Sequence, residues 1–199
     1  YAFNINGTVT SQAAPAGVNV GGFNTSTGLG TITVTLSGSG SNYVSLFVDH
    51  EIDEAVNTWF NENGSTSGAA AAGQTWEIDE PEYIFGDIVT NFGNSALDGS
   101  NGVPAGSEDD VSMAMGWDFN LLAGETGVIS FLISSSLPTS GFYLTQNDPD
   151  SQASIYMSSR LTINGGGTDP GDIPEPATLA LLGIGLLGLW QTHRRQAVM

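Results

Sequence analysis

Apolar and polar residues alternate along several short stretches of this chain, and alternation is the pattern of a β-strand with one buried face. The clearest example is VSMAMGWDFNL, residues 111–121, in which every second residue is apolar. These residues are Val111, Met113, Met115, Trp117, Phe119 and Leu121. A strand places all six on one face, whereas a helix would scatter them around its axis. The stretch therefore predicts a strand.

The same reasoning predicts further strands on both sides of this one. TITVTLSGS (31–39) and SIYMSSRLTI (154–163) alternate in the same way, and GVISFLIS (127–134) is more continuously apolar, as in a central strand. Four other candidates are YAFNINGTVT (1–10), NYVSLFVDH (42–50), QTWEID (74–79) and GFYLTQ (141–146). Roughly eight to ten short strands with glycine-rich turns predict an all-β fold, an antiparallel β-sandwich or jelly-roll-like domain over residues 1–164.

Other stretches break the strand pattern. EIDEAVNTWFNENG (51–64) has apolar residues near helical spacing and predicts a short helix that stops at Gly64. The runs 64–74 and 93–107 are rich in small and turn-forming residues and predict exposed loops. Residues 165–173 combine glycine with Pro170 and predict a linker between the domain and a C-terminal segment, 174–199.

Charge excludes one class of partner. Acidic residues outnumber basic ones by 21 to 3, and the net charge is −18. Residues 1–173 contain 20 of the acids and a single base, Arg160. Such a surface repels nucleic acids and anionic lipid head groups, which proteins recognise through Lys and Arg. We therefore predict no nucleic-acid partner.

The absence of cysteine and the start of the chain bear on its compartment. Without cysteine there are no disulfides, no thiolate catalysis and no cysteine zinc sites. The chain starts at Tyr1 without a basic and then apolar leader, and we interpret this start as the product of signal-peptide removal. A cloned fragment would start in the same way.

The longest apolar run, ATLALLGIGLLGLW (177–190), is followed by QTHRR. As a helix its 14 residues would span about 21 Å, against about 30 Å for a bilayer core. Flanking polar residues extend the span and the bilayer can thin, so we predict a short transmembrane helix over 177–192. Arg194 and Arg195 would then lie on the cytoplasmic side, as the positive-inside rule requires.

Pro174, Glu175 and Pro176 precede this apolar run. The order of this tripeptide, a short apolar helix and an arginine pair resembles the PEP-CTERM sorting signal of exported proteins in Gram-negative bacteria. The resemblance implies that Arg194 and Arg195 form the basic end of the signal and that an exosortase-type enzyme processes the chain. It also implies transient anchoring in the inner membrane and then delivery to the cell surface or extracellular matrix, often in organisms that make exopolysaccharide.

Residues with catalytic chemistry are sparse. His50 is the only histidine in residues 1–173, so a Ser-His-Asp arrangement would depend on it, and its strand parity places it on the apolar side. A carboxylate pair of the glycosidase type is an alternative, because acids are plentiful. The aromatic and basic groups that hold a sugar in a cleft are not recognisable, and we predict a non-enzymatic protein.

Calcium is the one cofactor that the acidic residues favour, because it takes about six to eight oxygen ligands from carboxylates and carbonyls. Asp49, Glu51 and Asp53 share one strand parity and are the first candidates. Asp109 and Asp110, just before the strand at 111–121, are the next. None of them fits the EF-hand spacing. The alternative is a solvated acidic surface that keeps the protein soluble.

Together these patterns predict a non-enzymatic, exported protein of the cell surface or extracellular matrix, associated with biofilm or exopolysaccharide. Three alternatives stay open: a calcium-dependent carbohydrate-binding module, a secreted glycoside hydrolase and a self-assembling fibre subunit. In the fibre, an N-terminal strand such as AFNINGTVT (2–10) would complete the sheet of a neighbouring copy.

Overall fold

The computed structural model describes residues 1–52, 58–81 and 85–165. These residues form eleven strands, one short α-helix and one 3-10 turn. The strands are β1 (Ala2–Ile5), β2 (Thr8–Ser11), β3 (Val18–Asn24), β4 (Leu29–Ser37), β5 (Gly40–Asp49), β6 (Asn63–Ser67), β7 (Gln74–Asp79), β8 (Ser112–Leu121), β9 (Glu125–Ser134), β10 (Tyr143–Asn147) and β11 (Ser154–Gly165). The helix is α1 (Ile88–Gly93), and the 3-10 turn is Trp59–Asn61.

The strands form two antiparallel sheets that face each other across one hydrophobic core. The first sheet has the order β2-β1-β5-β8-β7, and the second has the order β3-β4-β9-β11-β10-β6. A hydrogen bond of 2.9 Å from the indole Nε1 of Trp117 in β8 to Ser159 Oγ in β11 joins them. The predicted all-β sandwich is confirmed, and the jelly-roll subtype stays a prediction.

Strand β8 has the buried face that its alternation predicts, since all six apolar residues of that parity are buried. Ser112 and Ala114, on the opposite face, are fully buried as well. The reason is that α1 covers the outside of this sheet, where Ile88 and Phe92 pack with Ala114 in a second, smaller hydrophobic cluster. The sequence analysis did not predict this helix.

Residues 1–10 form a hairpin, so the prediction of a single strand there was wrong. Strands β1 and β2 pair with Ile5 opposite Thr8, which leaves Asn6-Gly7 as a two-residue turn. Both turn residues have positive φ, 52° and 82°, as a type I′ turn requires. Strand β1 also pairs with β5 and is therefore flanked on both sides within its own sheet.

The predicted loop at 64–74 begins with a strand, β6, and that part of the prediction was wrong. Strand β6 pairs with β10 at the edge of the second sheet. Gly64 is buried there, and a Cβ at this position would collide with the Ile78 side chain. Glycine is thus needed for close approach rather than to stop a helix. Residues 53–57 of the predicted helix lie outside the described residues.

Strand β11 ends at Gly165. The predicted linker from residue 166, the sorting signal at 174–199 and the transmembrane helix at 177–192 lie outside the described residues. Among the residues that the structure describes, no helix has both the length and the apolar character to cross a membrane.

Candidate metal site

Three carboxylates meet where β5 ends and β8 begins. In the register of these antiparallel strands Asp49 lies opposite Ser112, at the last pair of the ladder. Continuing that register by two residues brings Glu51 opposite Asp110. One carboxylate oxygen from each of Asp49, Glu51 and Asp110 lies within 4.8 Å of the other two. We call these three residues the acidic cluster.

Asp110 is the buried member of the acidic cluster. Its side chain is 9% exposed, whereas Asp49 and Glu51 are exposed. The Oδ1 atom of Asp110 is buried and has no hydrogen-bond partner among the described residues. A buried carboxylate oxygen without a donor is costly, because it has lost water and gained nothing in exchange.

A backbone bridge positions Asp110. The Asp109 N–H donates to the Glu62 carbonyl at 3.0 Å, and the Glu62 N–H donates to the Asp109 carbonyl at 3.1 Å. The Asp110 N–H donates to Asp109 Oδ1 at 3.0 Å. The loop before β8 is thus tied to the residue before β6, and Asp109 supports this loop instead of joining the acidic cluster.

Glu62 is fully buried beside the acidic cluster, and its oxygens have donors. Oε1 accepts the Ile52 N–H at 2.9 Å, and Oε2 accepts Nε2 of Gln146. Burial raises the pKa of Glu62 to about 7. The sequence analysis did not select Glu62, because its neighbours are polar and no local pattern marks it as buried.

Repulsion between like charges adds to burial at Asp110. Burial raises the pKa of Asp110 to about 7, and the nearby carboxylates of Asp49, Glu51, Glu62 and Glu80 add to the shift. Partial loss of hydration also raises the pKa of the exposed Asp49, and the α-amino group of Tyr1 opposes this shift with a smaller effect. The end of the first sheet therefore concentrates more negative charge than its surroundings compensate.

A cavity of about 270 Å³ adjoins the acidic cluster. Asp49, His50 and Glu51 line it on one side, and the segment Thr25–Gly28 lines it as well. His50 is half-buried, and its Nε2 lies 3.0 Å from the Gly28 carbonyl oxygen. Burial lowers the pKa of His50, which keeps the ring neutral, so Nε2 carries the hydrogen that the carbonyl accepts. The other ring nitrogen, Nδ1, is buried and has no hydrogen-bond partner among the residues that the structure describes.

A second group of carboxylates lies on β7 and the segment after it, and the sequence analysis did not select it. Oxygens of Glu77, Asp79 and Asp87 lie within 4.8 Å of one another. Glu77 accepts hydrogen bonds from Asn91 Nδ2 at 3.1 Å and from the Asp98 N–H at 3.2 Å. Asp79 Oδ2 accepts the Asp87 N–H at 2.8 Å. These bonds hold the α1 region against β7, which is a structural role.

The structure brings together Asp49, Glu51 and Asp110 of the five residues predicted to bind a metal. Asp109 lies next to them in a supporting position, and Asp53 lies outside the described residues. Metal binding by these residues stays a prediction. The sorting-signal residues Pro174, Glu175, Pro176, Arg194 and Arg195 also lie outside the described residues.

Comparison with known families identifies the C-terminal segment. The PEP-CTERM protein-sorting motif matches residues 172–195, a span that contains the Pro-Glu-Pro tripeptide and both terminal-segment arginines. The resemblance found in the sequence is confirmed, and the chain carries the signal of an exported protein that an exosortase-type enzyme sorts. No curated protein and no solved structure matches the chain.

Proposed function

We propose that this chain is a non-enzymatic protein of the bacterial cell surface or extracellular matrix. The observation that carries the proposal is the sorting motif at residues 172–195, placed after a complete β-sandwich. The excess of acids on this sandwich keeps it soluble and away from anionic lipid surfaces. Association with exopolysaccharide or with further copies of the chain would retain it outside the cell.

The tail acts in steps in this proposal. The apolar helix at 177–192 halts the chain in the inner membrane, and Arg194 and Arg195 stay on the cytoplasmic side. The glycine-rich linker then presents Pro174, Glu175 and Pro176 at the outer face. An exosortase-type enzyme recognises the tripeptide, cuts nearby and frees the sandwich from the membrane.

The geometry at His50 supports a role without catalysis. A histidine that serves as a general base needs a hydrogen bond to the group from which it takes a proton. In His50 Nε2 donates to the Gly28 carbonyl, and Nδ1, the nitrogen that could take a proton, is buried and has no hydrogen-bond partner among the described residues. The secreted glycoside hydrolase stays an alternative that this proposal does not favour.

Replacing the tripeptide tests the proposal. We expect the triple substitution Pro174→Ala, Glu175→Ala and Pro176→Ala to keep the chain at full length in the inner-membrane fraction of a host that has an exosortase. The control Pro170→Ala lies just before the matched residues and is expected to leave delivery unchanged. Cell fractionation followed by intact-mass measurement gives the answer. Equal delivery of the unmodified chain, the triple variant and the control to the surface would overturn the proposed action of the tail.

Calcium-dependent carbohydrate binding is a second candidate, favoured by the cavity beside the acidic cluster. Asp49 and Glu51 line that cavity together with the hydroxyl residues Thr25, Ser26 and Thr27. Sugar hydroxyls bind to a Ca²⁺ ion as oxygen ligands and to side-chain hydroxyls by hydrogen bonds. We expect a glycan array to show retention in millimolar calcium that is lost in chelator and in Glu51→Gln. Retention that persists in chelator would contradict this candidate.

A further inference from the structure

The acidic cluster has too little positive charge around it. Arg160 is the only Lys or Arg side chain in residues 1–173, and it is exposed on β11 of the other sheet, opposite Ser130. The Tyr1 α-amino group acts on Asp49, while burial and four carboxylates act on Asp110. A cation from solution is therefore the natural source of compensating charge for Asp110.

The Asp110 side chain provides an observation that is independent of this charge. Its Oδ1 is buried and accepts no hydrogen bond from the residues that the structure describes, and the side chain lies against two other carboxylates. Glu62, which is buried next to it, has a donor for each oxygen. Of these two buried acids, Glu62 is hydrogen-bonded within the protein, whereas Asp110 keeps an oxygen available as an acceptor, as a metal ligand requires.

We propose that Asp49, Glu51 and Asp110 bind a Ca²⁺ ion at the end of the first sheet. Calcium takes oxygen ligands at about 2.3–2.6 Å, so two oxygens bound to one ion lie at most about 5 Å apart. The spacing within the acidic cluster, up to 4.8 Å, fits that limit. Magnesium gives up its water reluctantly and is usually held by only one or two carboxylates, so three converging carboxylates favour calcium.

Exposure of two of the three ligands completes the argument for calcium. Asp49 and Glu51 are accessible to solvent, so water can fill the coordination positions that the protein leaves open. The ion would join the end of β5 to the start of β8 and cancel the repulsion between them. This inference does not depend on the surface role, because it is tested on purified protein.

Calorimetric titration of the full 1–199 chain with CaCl2 after chelator treatment tests the site. We expect one saturable site with a dissociation constant of about 10⁻⁴ M, as in extracellular calcium modules. Glu51→Gln and Asp110→Asn should each weaken binding at least tenfold. The matched control is Asp118→Asn, an exposed acid further along the chain in strand β8, and it should leave the affinity unchanged.

Thermal unfolding provides a second readout, because calcium should stabilise the unmodified chain and leave the melting temperature of Asp110→Asn unchanged. In 5 mM calcium the melting temperature of the unmodified chain should rise by about 5 °C. In chelator, Asp110→Asn should melt above the unmodified chain, because it removes a buried repelled charge, and calcium should not raise it further. If Asp110→Asn does not fold, the exposed substitution Glu51→Gln decides the matter.

Three results would overturn the proposal. One is the absence of saturable binding. Another is equal weakening by Asp118→Asn, which would indicate a diffuse cation layer around a polyanion. The third is an equal response to magnesium, which would contradict the assignment of the site to calcium. None of these three results would bear on the export of the chain.

Discussion

Replacement of Phe131 by alanine is expected to lower the free energy of unfolding by about 4 kcal/mol. Phe131 is fully buried in β9, the strand that lies between β4 and β11. Its backbone pairs with Ile32 on one side and Ser159 on the other. Strands on both sides hold β9 in place, so the sheet cannot collapse readily into the cavity that alanine would leave. Relaxation therefore recovers little of the free energy of unfolding that is lost with the ring.

The next residue along β9 provides the matched control. Leu132 points to the other face and is 42% exposed, so Leu132→Ala should cost no more than about 1 kcal/mol. Urea denaturation of both variants, read by tryptophan fluorescence, measures the difference. Losses of equal size would contradict the placement of the β9 faces.

Stability is expected to decrease as pH rises from 5 to 7.5, and Glu77 is a principal reason. Burial raises the pKa of this carboxyl from 4.5 to about 7, and the Asp98 charge adds to the shift. Between these two values the folded chain holds the proton and the unfolded chain does not, so protonation favours folding. The contribution is complete below a pH of about 4.5 and is lost as the pH passes about 7.

After allowance for solvent screening, we expect Glu77 to contribute about 1–2 kcal/mol to this change, or roughly 4 °C in melting temperature. Glu77→Gln should flatten the decrease by that amount. Glu108→Gln is the control, because Glu108 is exposed and its hydrogen bond to the Gly106 N–H lowers its pKa. Melting curves at half-unit pH steps in chelator give the slopes. A slope that is the same in Glu77→Gln as in the unmodified chain would show that Glu77 does not titrate in this range.

The sequence predicted the sandwich well where one face of a strand is buried and the other is not. The apolar parity of 111–121 and the continuous run at 127–134 both correspond to long strands, β8 and β9. Alternation is a local property, so a single sequence contains it. The turn at Asn6-Gly7 was also present in the sequence, and it was missed because the flanking strands are only four residues long.

Features that depend on contacts between distant segments were missed for a physical reason. Strand β6 is built from Asn, Gly, Ser and Thr and is a strand because β10 pairs with it. Helix α1 is less than two turns long and is stabilised by packing on β8. Neither segment has enough strand or helix propensity of its own to predict the element that it forms.

The acidic cluster likewise combines a pattern that is local in the sequence with a contact between distant segments. Asp49 and Glu51 share a strand parity, and the sequence shows this directly. Their meeting with Asp110 depends on the register of β5 against β8, which involves residues about sixty positions apart along the chain. Naming all three was possible because each run of acids was considered, but the sequence could not separate Asp110 from its neighbour Asp109.

Intact-mass measurement of the native protein, recovered from the outer surface or matrix of its own cells, tests the central claim most directly. The account predicts a chain that has lost the C-terminal helix and both Arg194 and Arg195, with any attached group visible as added mass. Recovery from the cytosol of a chain that still ends at Met199 would contradict it.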